Sequence, residues 1–352
     1  MRALSLRLSL LAVSSASLAV AVFAACSSDS SDSSTSGTDS GGGADTSVAA
    51  DTGTVEDTGV TGDATSDATS ANDAAPLVDA AVDSGGYDPV ACQTFFSSVD
   101  PSIQVPYTLN SAGQRASLVD AGGGVRKETG KYVATWAPSG WYTLPNRTLI
   151  IDLHGTAGYP EAEWSDYRTY LQQRNWAFLG ISYLYNANND AGDYDSASGI
   201  YSRITTALTE LRAACGTNIT LHLMGFSRGS ANTFTIALLD RQAAGKINGV
   251  IANAGAWPPD GGPLPPDLQT ANSNPMSMKD TRFWGWCGLS DLTHGYPMCD
   301  EMTTALKWVQ DHGGTVAPGY PYKSPDSGHV DLRSNPDAVD AGFTWINSLP
   351  PR

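Results

Sequence analysis

The chain has 352 residues, of which 41% are hydrophobic, and its 36 acidic and 20 basic side chains give a formal net charge of −16. That length and apolar content are enough to bury a sizeable core. The acidic balance, without any basic run or basic helical stripe, excludes a nucleic-acid-binding footprint.

Taken from the start, Arg2 and Arg7 precede an apolar run, Leu8 to Phe23, that ends in Phe23-Ala24-Ala25-Cys26. The pattern resembles a bacterial lipoprotein signal peptide over residues 1–25, with Cys26 as the lipidated residue. An ordinary secretory peptide or a membrane anchor is the alternative, although the run is short for a span. Ser27 and Ser28 stand where an aspartate would signal inner-membrane retention, so the resemblance implies an outer-membrane or cell-surface lipoprotein, and otherwise a secreted protein. Membrane contact is then expected through the lipid only.

Residues 26–86 are almost wholly Ser, Thr, Asp, Gly, Ala and Val, with no Lys, Arg or Trp. Such a segment cannot bury enough apolar surface to offset its ordering entropy and reads as a disordered acidic tether. As a flexible coil of about sixty residues it would reach roughly 40 Å. Residues 27–88 hold 13 acidic and 0 basic side chains, which leaves, without Arg2 and Arg7, 23 acidic against 18 basic for the rest. The remaining domain is therefore only mildly acidic.

Residues 87–352 hold nearly all the aromatics and read as one α/β domain, expected to be monomeric. Its cysteines, Cys92, Cys215, Cys287 and Cys299, are even in number in a chain that reads as exported, which predicts two disulfides. Of the three possible pairings, Cys287–Cys299 is favoured because a short loop after a strand separates them, leaving Cys92–Cys215. Four buried thiols are the alternative. No C-x-x-C or adjacent histidine pair suggests a metal, and no cofactor is expected.

Strand-like runs at Lys131–Ala137, Thr148–Leu153 and Trp176–Leu184 are each followed by turn residues. A helix over Ser198–Ala214 carries Ile200, Ile204, Leu208 and Leu211 on one face. Then come a strand at Ile219–Met224, a helix through Leu239, and strands at Ile247–Asn253 and Arg282–Trp286. A helix around Met302, Ala305, Leu306 and Val309, a short strand near Thr315, and a helix carrying Val339, Phe343 and Ile346 complete the chain. The alternation predicts a mostly parallel, doubly wound sheet that binds ligands at the carboxyl ends of its strands.

Three of those strand ends carry chemistry. The elbow strand runs into Gly225-Phe226-Ser227-Arg228-Gly229 and on into a helix, which is the form of a nucleophile elbow. Ser227 is the candidate nucleophile, and the Arg228 N–H can donate to a developing oxyanion. His154-Gly155-Thr156-Ala157-Gly158 follows the first central strand and offers a second donor, the N–H of Gly155 or Thr156, with His154 structural. Cys287-Gly288-Leu289-Ser290-Asp291 places a carboxylate where a triad acid belongs, with Asp300 and Asp326 as competitors. His329, in Ser327-Gly328-His329-Val330, is the candidate general base. Of the other histidines, His222 reads as a hydrogen-bonded core residue, His294 as pocket-lining, and His312 as the end of a helix.

With HGTAG, GFSRGS and the strand ending Ala252-Asn253-Ala254-Gly255, the segment from Leu149 to Ala256 resembles secreted α/β-hydrolase esterases of the polyhydroxybutyrate-depolymerase and feruloyl-esterase type. The resemblance implies an α/β-hydrolase fold, the chain order Ser227, Asp291, His329, an acyl-enzyme and no cofactor. Two positions depart from it. Ser230 stands where relatives often have glycine, and Arg228 is bulkier and charged. Trp164, Tyr183, Trp257 and Tyr296 follow catalytic-edge elements and are candidates to stack on an acyl, sugar or polyester group. The proline-rich run from Trp257 to Pro266 is expected to form one wall of an open site. The rival readings are a serine peptidase on the same scaffold and a catalytically inactive binding lipoprotein.

Overall fold

Apolar residues in the central strands alternate with period two, and both faces of those strands are covered. In β3 (Arg147–Leu153), Leu149, Ile151 and Leu153 enter one hydrophobic cluster and Ile150 the other. In β5 (Ile219–Phe226), Leu221 and Leu223 face the first cluster while Met224 and Phe226 face the second.

The computed structural model describes residues 87–103, 109–128, 131–184, 194–243, 245–257, 265–293, 295, 297–325, 327–329, 333 and 335–352. All belong to the contact unit Ala71–Arg352. The expected signal peptide, Cys26 and the tether lie outside the described residues, as do Tyr296, His294, Asp326 and residues 258–264 of the proline-rich run. Among the described residues no helix is long and apolar enough to cross a membrane.

The other strands are β1 (Gly124–Glu128), β2 (Lys131–Trp136), β4 (Ala177–Ile181), β6 (Ile247–Asn253), β7 (Arg282–Gly288), β8 (Thr315–Val316) and β9 (Tyr322–Ser324). They form one sheet in the order β1-β2-β4-β3-β5-β6-β7-β8, with β9 also on β7. β2 is antiparallel to both its neighbours, and all pairings from β4 through β9 are parallel. This is the α/β-hydrolase architecture. The order reverses between β3 and β5, so the carboxyl ends of those two strands flank the switch point at which open α/β sheets bind ligands.

The helices are α1 (Pro89–Ser97), α2 (Leu109–Asp120), α3 (Pro160–Arg174), α4 (Ala197–Cys215), α5 (Arg228–Ala243), α6 (Pro266–Ala271), α7 (Met298–Asp311) and α8 (Pro336–Asn347). Helices α1, α4, α5 and α7 cover one face of the sheet, while Trp164, Tyr167 and Leu171 of α3 and Val339, Phe343 and Ile346 of α8 cover the other. The long α4 is punctuated at both ends. Ser196 accepts from the Gly199 N–H at its start, and Gly216, at φ +76°, ends it.

The strands and long helices read from the sequence are present, with ends moved by a few residues; the run expected over Trp176–Leu184 is trimmed to β4. Six elements had no sequence expectation: α1, α2, β1, α3, α6 and β9. Helix α3 is the consequential one. It opens with Pro160 at its first turn and Glu161 and Glu163 behind it, and both carboxylates are buried. A stripe built partly of buried charges does not register as amphipathic. Both disulfides pair as expected: Cys92–Cys215 joins α1 to the end of α4, and Cys287–Cys299 joins β7 to the start of α7.

Candidate active site

Strand β5 ends in a turn so tight that Ser227 adopts φ +52°, a left-handed conformation that is costly for a residue with a side chain. Three glycines make room for it. A Cβ on Gly225 would lie 2.5 Å from the Gly229 carbonyl carbon, one on Gly229 2.1 Å from the Leu153 oxygen, and one on Gly255 2.0 Å from the Ser227 oxygen. The Ser227 N–H donates to the Asn253 carbonyl at 2.9 Å, and the Ser227 carbonyl accepts from Ala231 at 3.0 Å, opening α5. Ser230 is buried, and its hydroxyl donates to the Gly255 carbonyl at 2.5 Å. The hydroxyl thus ties the helix to the loop after β6, a bond that a glycine there could not make.

His329 lies 2.7 Å by Nε2 from the Ser227 Oγ and 2.7 Å by Nδ1 from Asp291 Oδ2. With the Nδ1–H donating to the carboxylate, Nε2 is free to accept from the serine hydroxyl. The other Asp291 oxygen accepts from the Thr293 N–H at 3.1 Å and the Thr293 hydroxyl at 2.6 Å. Burial pushes the Asp291 carboxyl up, but the hydrogen bonds from His329 and Thr293 outweigh it and hold the group below its usual value. Asp300, its described competitor, lies exposed in the first turn of α7.

Three elements bring these groups together. The β7–β9 pairing, Gly288 opposite Ser324, sets the Asp291 and His329 loops side by side. The Ser290 N–H then donates to the Ser327 carbonyl at 3.0 Å, and Gly288 has no room for a Cβ, which would meet the Ser327 oxygen at 2.2 Å. Cys287–Cys299 closes the loop that carries Asp291.

At the end of β3, His154 is fully buried and stacked on Tyr183 at 4.2 Å. Its Nδ1 donates to the Gly155 carbonyl at 2.8 Å, and its Nε2 faces the Tyr183 N–H at 3.5 Å. Burial lowers its pKa to about 4, so the ring is neutral at ordinary pH and acts as a wedge. The Tyr183 hydroxyl donates to the His154 carbonyl. The Ala157 N–H donates to the Tyr194 hydroxyl at 3.0 Å, and Ala157 is left-handed at φ +56°. The two oxyanion donors anticipated here, the N–H groups of Gly155 and Thr156, follow directly after the buried His154 ring.

Behind the site lies a buried charge cluster that the motifs did not reveal. Arg333 bonds Glu163 at 3.0 Å and Asp166 at 2.5 Å, and its guanidinium sits 4.5 Å over the Phe226 ring. That ring lies 5.2 Å from His329. One cation therefore touches the loop after the histidine, the elbow and α3. Burial pushes the Glu163 carboxyl up to about 7 despite Arg333, and burial and the charge of Glu163 push Asp152 well above the carboxylate range. The proline-led acidic first turn of α3 is the only sequence signal for Glu163, and nothing local marks Arg333.

The aromatic candidates take other places. Trp164 is fully buried, 5.9 Å from Trp136 in the core beneath α3. Tyr183 is fully buried against His154, and Trp257 packs edge-on against Phe234 at 5.1 Å and Trp308 at 5.5 Å. These three are corrected from substrate contacts to core residues: proximity to a strand end does not expose a large apolar ring that can be buried. His222 is buried, stacked at 6.0 Å on Trp176, with its Nδ1 lacking the hydrogen bond expected of it. His312 is the C-cap of α7, bonded by Nδ1 to the Trp308 carbonyl at 2.7 Å. Among the described residues no group of three or more His, Cys, Asp or Glu is arranged to hold a metal ion.

No family model matches the chain. No curated protein matches it either. Among solved structures it is similar to an esterase of Rhizomucor miehei, at 14% identity and a TM-score of 0.47 over 63% of this chain and 80% of that one. It is similar to LpqC of Bordetella parapertussis, described as a poly(3-hydroxybutyrate) depolymerase, at 13% identity and a TM-score of 0.46 over 62% and 85%. Est1E of Butyrivibrio proteoclasticus, solved with ferulic acid bound, aligns at 12% identity and a TM-score of 0.44 over 64% and 99%. At such values the fold assignment rests on the chain's own strand order and elbow.

Proposed function

We propose that this protein is a serine hydrolase that cleaves carboxylic esters through an acyl-enzyme. The observation that carries the reading is the unbroken chain Ser227 Oγ–His329–Asp291, both links 2.7 Å, with the serine on a strained left-handed turn. His329 Nε2 takes the Ser227 proton as Oγ attacks the ester carbonyl, and Asp291 holds the imidazole tautomer and stabilises the imidazolium. The N–H group of Arg228 and that of Gly155 or Thr156 receive the oxyanion. Losing one such donor raises the barrier by about 3 kcal/mol. His329 returns the proton to the departing alcohol, then activates the water that releases the acid.

Acyl esters and polyesters are the proposed substrate class. The site is proposed to work outside the cytoplasm on a protein tethered through Cys26, a reading supported by the signal-like start and by two disulfides, which persist in oxidising compartments. The test is turnover of 4-nitrophenyl acetate, butyrate and octanoate, methyl ferulate and a polyhydroxybutyrate film by the wild type and Ser227→Ala. Turnover is expected in the wild type and loss of nearly all of it in the variant, with unchanged circular dichroism. Turnover retained by Ser227→Ala would overturn the assignment.

A further inference from the structure

The side chain of Arg228 is the feature of the site that ester hydrolysis alone does not require. It follows the nucleophile directly, and its Nε lies 3.3 Å from the Thr156 hydroxyl while its guanidinium stacks 4.2 Å over the Tyr194 ring. Tyr194 in turn accepts from Ala157, so the cation is braced across the gap between the elbow and the oxyanion loop. It is partly exposed.

The other site-side arginine is neutralised. Arg333 faces Glu163 and Asp166, and elsewhere Arg115, Arg126, Arg174 and Arg203 each face a carboxylate. Among the described residues no carboxylate lies within ion-pair distance of Arg228, and only its Nε has a hydrogen-bond partner. Its two terminal amino groups remain as a planar fork beside the nucleophile, the geometry that binds a carboxylate through two parallel bonds. Stacking on Tyr194 fixes the plane of that fork and removes water from one side. The fixed fork reduces the entropy lost on binding.

We propose that Arg228 selects esters carrying a second, free carboxylate a few bonds from the scissile carbonyl, such as half-esters of dicarboxylic acids or hydroxyacid oligomers with a free acid end. The proposal rests on the serine-esterase reading. With the carbonyl oxygen between the Arg228 N–H and that of Gly155 or Thr156, the guanidinium flanks the acyl chain and its charge meets the substrate carboxylate.

The experiment compares mono-4-nitrophenyl glutarate with its methyl-capped diester on the full chain, in the wild type, Arg228→Gln and Arg228→Lys. The wild type is expected to favour the anionic ester by about tenfold in kcat/KM, chiefly through KM, as one charge-assisted contact warrants. That preference should weaken as salt is raised. In Arg228→Gln the anionic-to-neutral ratio should fall to about one, while Arg228→Lys keeps part of it; loss of the Tyr194–Thr156 brace affects both esters and cancels in the ratio. No preference in the wild type, or an unchanged ratio in Arg228→Gln, would overturn the proposal while leaving the esterase reading intact. Failure of the wild type to cleave either ester would instead overturn the esterase reading and this one with it.

Discussion

The histidines show how one residue type is put to three uses by its surroundings. His329 stands between a serine and a carboxylate, His154 is a neutral wedge under the oxyanion loop, and His222 is buried on Trp176. Burial lowers His154 to about 4 and His222 to about 3. An unfolded histidine titrates near 6.5, so below that pH the unfolded chain binds protons that these two refuse in the folded state. Their contribution is present above 6.5 and is lost as the pH falls toward 4. Glu128 and Glu163, raised by burial to about 7, act in the opposite sense and cost stability as the pH rises from 4.5 to 7. A single substitution separates the two effects. His222→Phe, which keeps an aromatic ring on Trp176, should reduce the loss of stability between pH 7 and pH 4.5 by on the order of 2 kcal/mol. Urea unfolding of both proteins at the two pH values is the check, and parallel pH dependences would contradict it.

At the scale of elements, the site depends on two loops held at fixed separation by parallel strand ends, and the two disulfides brace different things. Cys92–Cys215 spans 123 residues and joins two helices on one face of the sheet, enclosing no triad residue. Cys287–Cys299 spans 12 residues and encloses Asp291. Loop-closure entropy grows with the length enclosed, giving about 5 kcal/mol for the long bridge and about 3 for the short one. Replacing both cysteines of the long bridge by serine should therefore lower the denaturant midpoint more. The same change at Cys287 and Cys299 should lower kcat/KM more, by loosening the loop that presents Asp291. Unfolding curves and ester turnover of the two double variants decide it, and the reverse ranking would contradict this division.

For the whole molecule, the sequence disclosed what local pattern encodes. The apolar strands β3, β5, β6 and β7 announce themselves, and the glycines around Ser227 mark the elbow because the turn has no room for side chains. Asp291 and His329 were legible from their order after strand-like runs. What stayed hidden is held by contacts distant in sequence. Arg333 meets Glu163 and Asp166 across some 170 positions, a pairing no window along the chain can contain. Helix α3 was masked by its own buried carboxylates, and the charged edge strand β1, GVRKE, lacks the apolar signature of a strand. The aromatics were misplaced for the converse reason: Trp164, Tyr183 and Trp257 sit next to functional loops in sequence, and their large apolar surfaces draw them into the core.

The central claim is that Ser227 is a nucleophile made reactive by His329 and Asp291. Its most direct test is to treat the folded full-length protein with a fluorophosphonate and locate the adduct by peptide mass spectrometry. A single adduct on Ser227, absent from Ser227→Ala, is the predicted result. A folded protein that takes no label, or takes it at another residue that survives in Ser227→Ala, would contradict the claim.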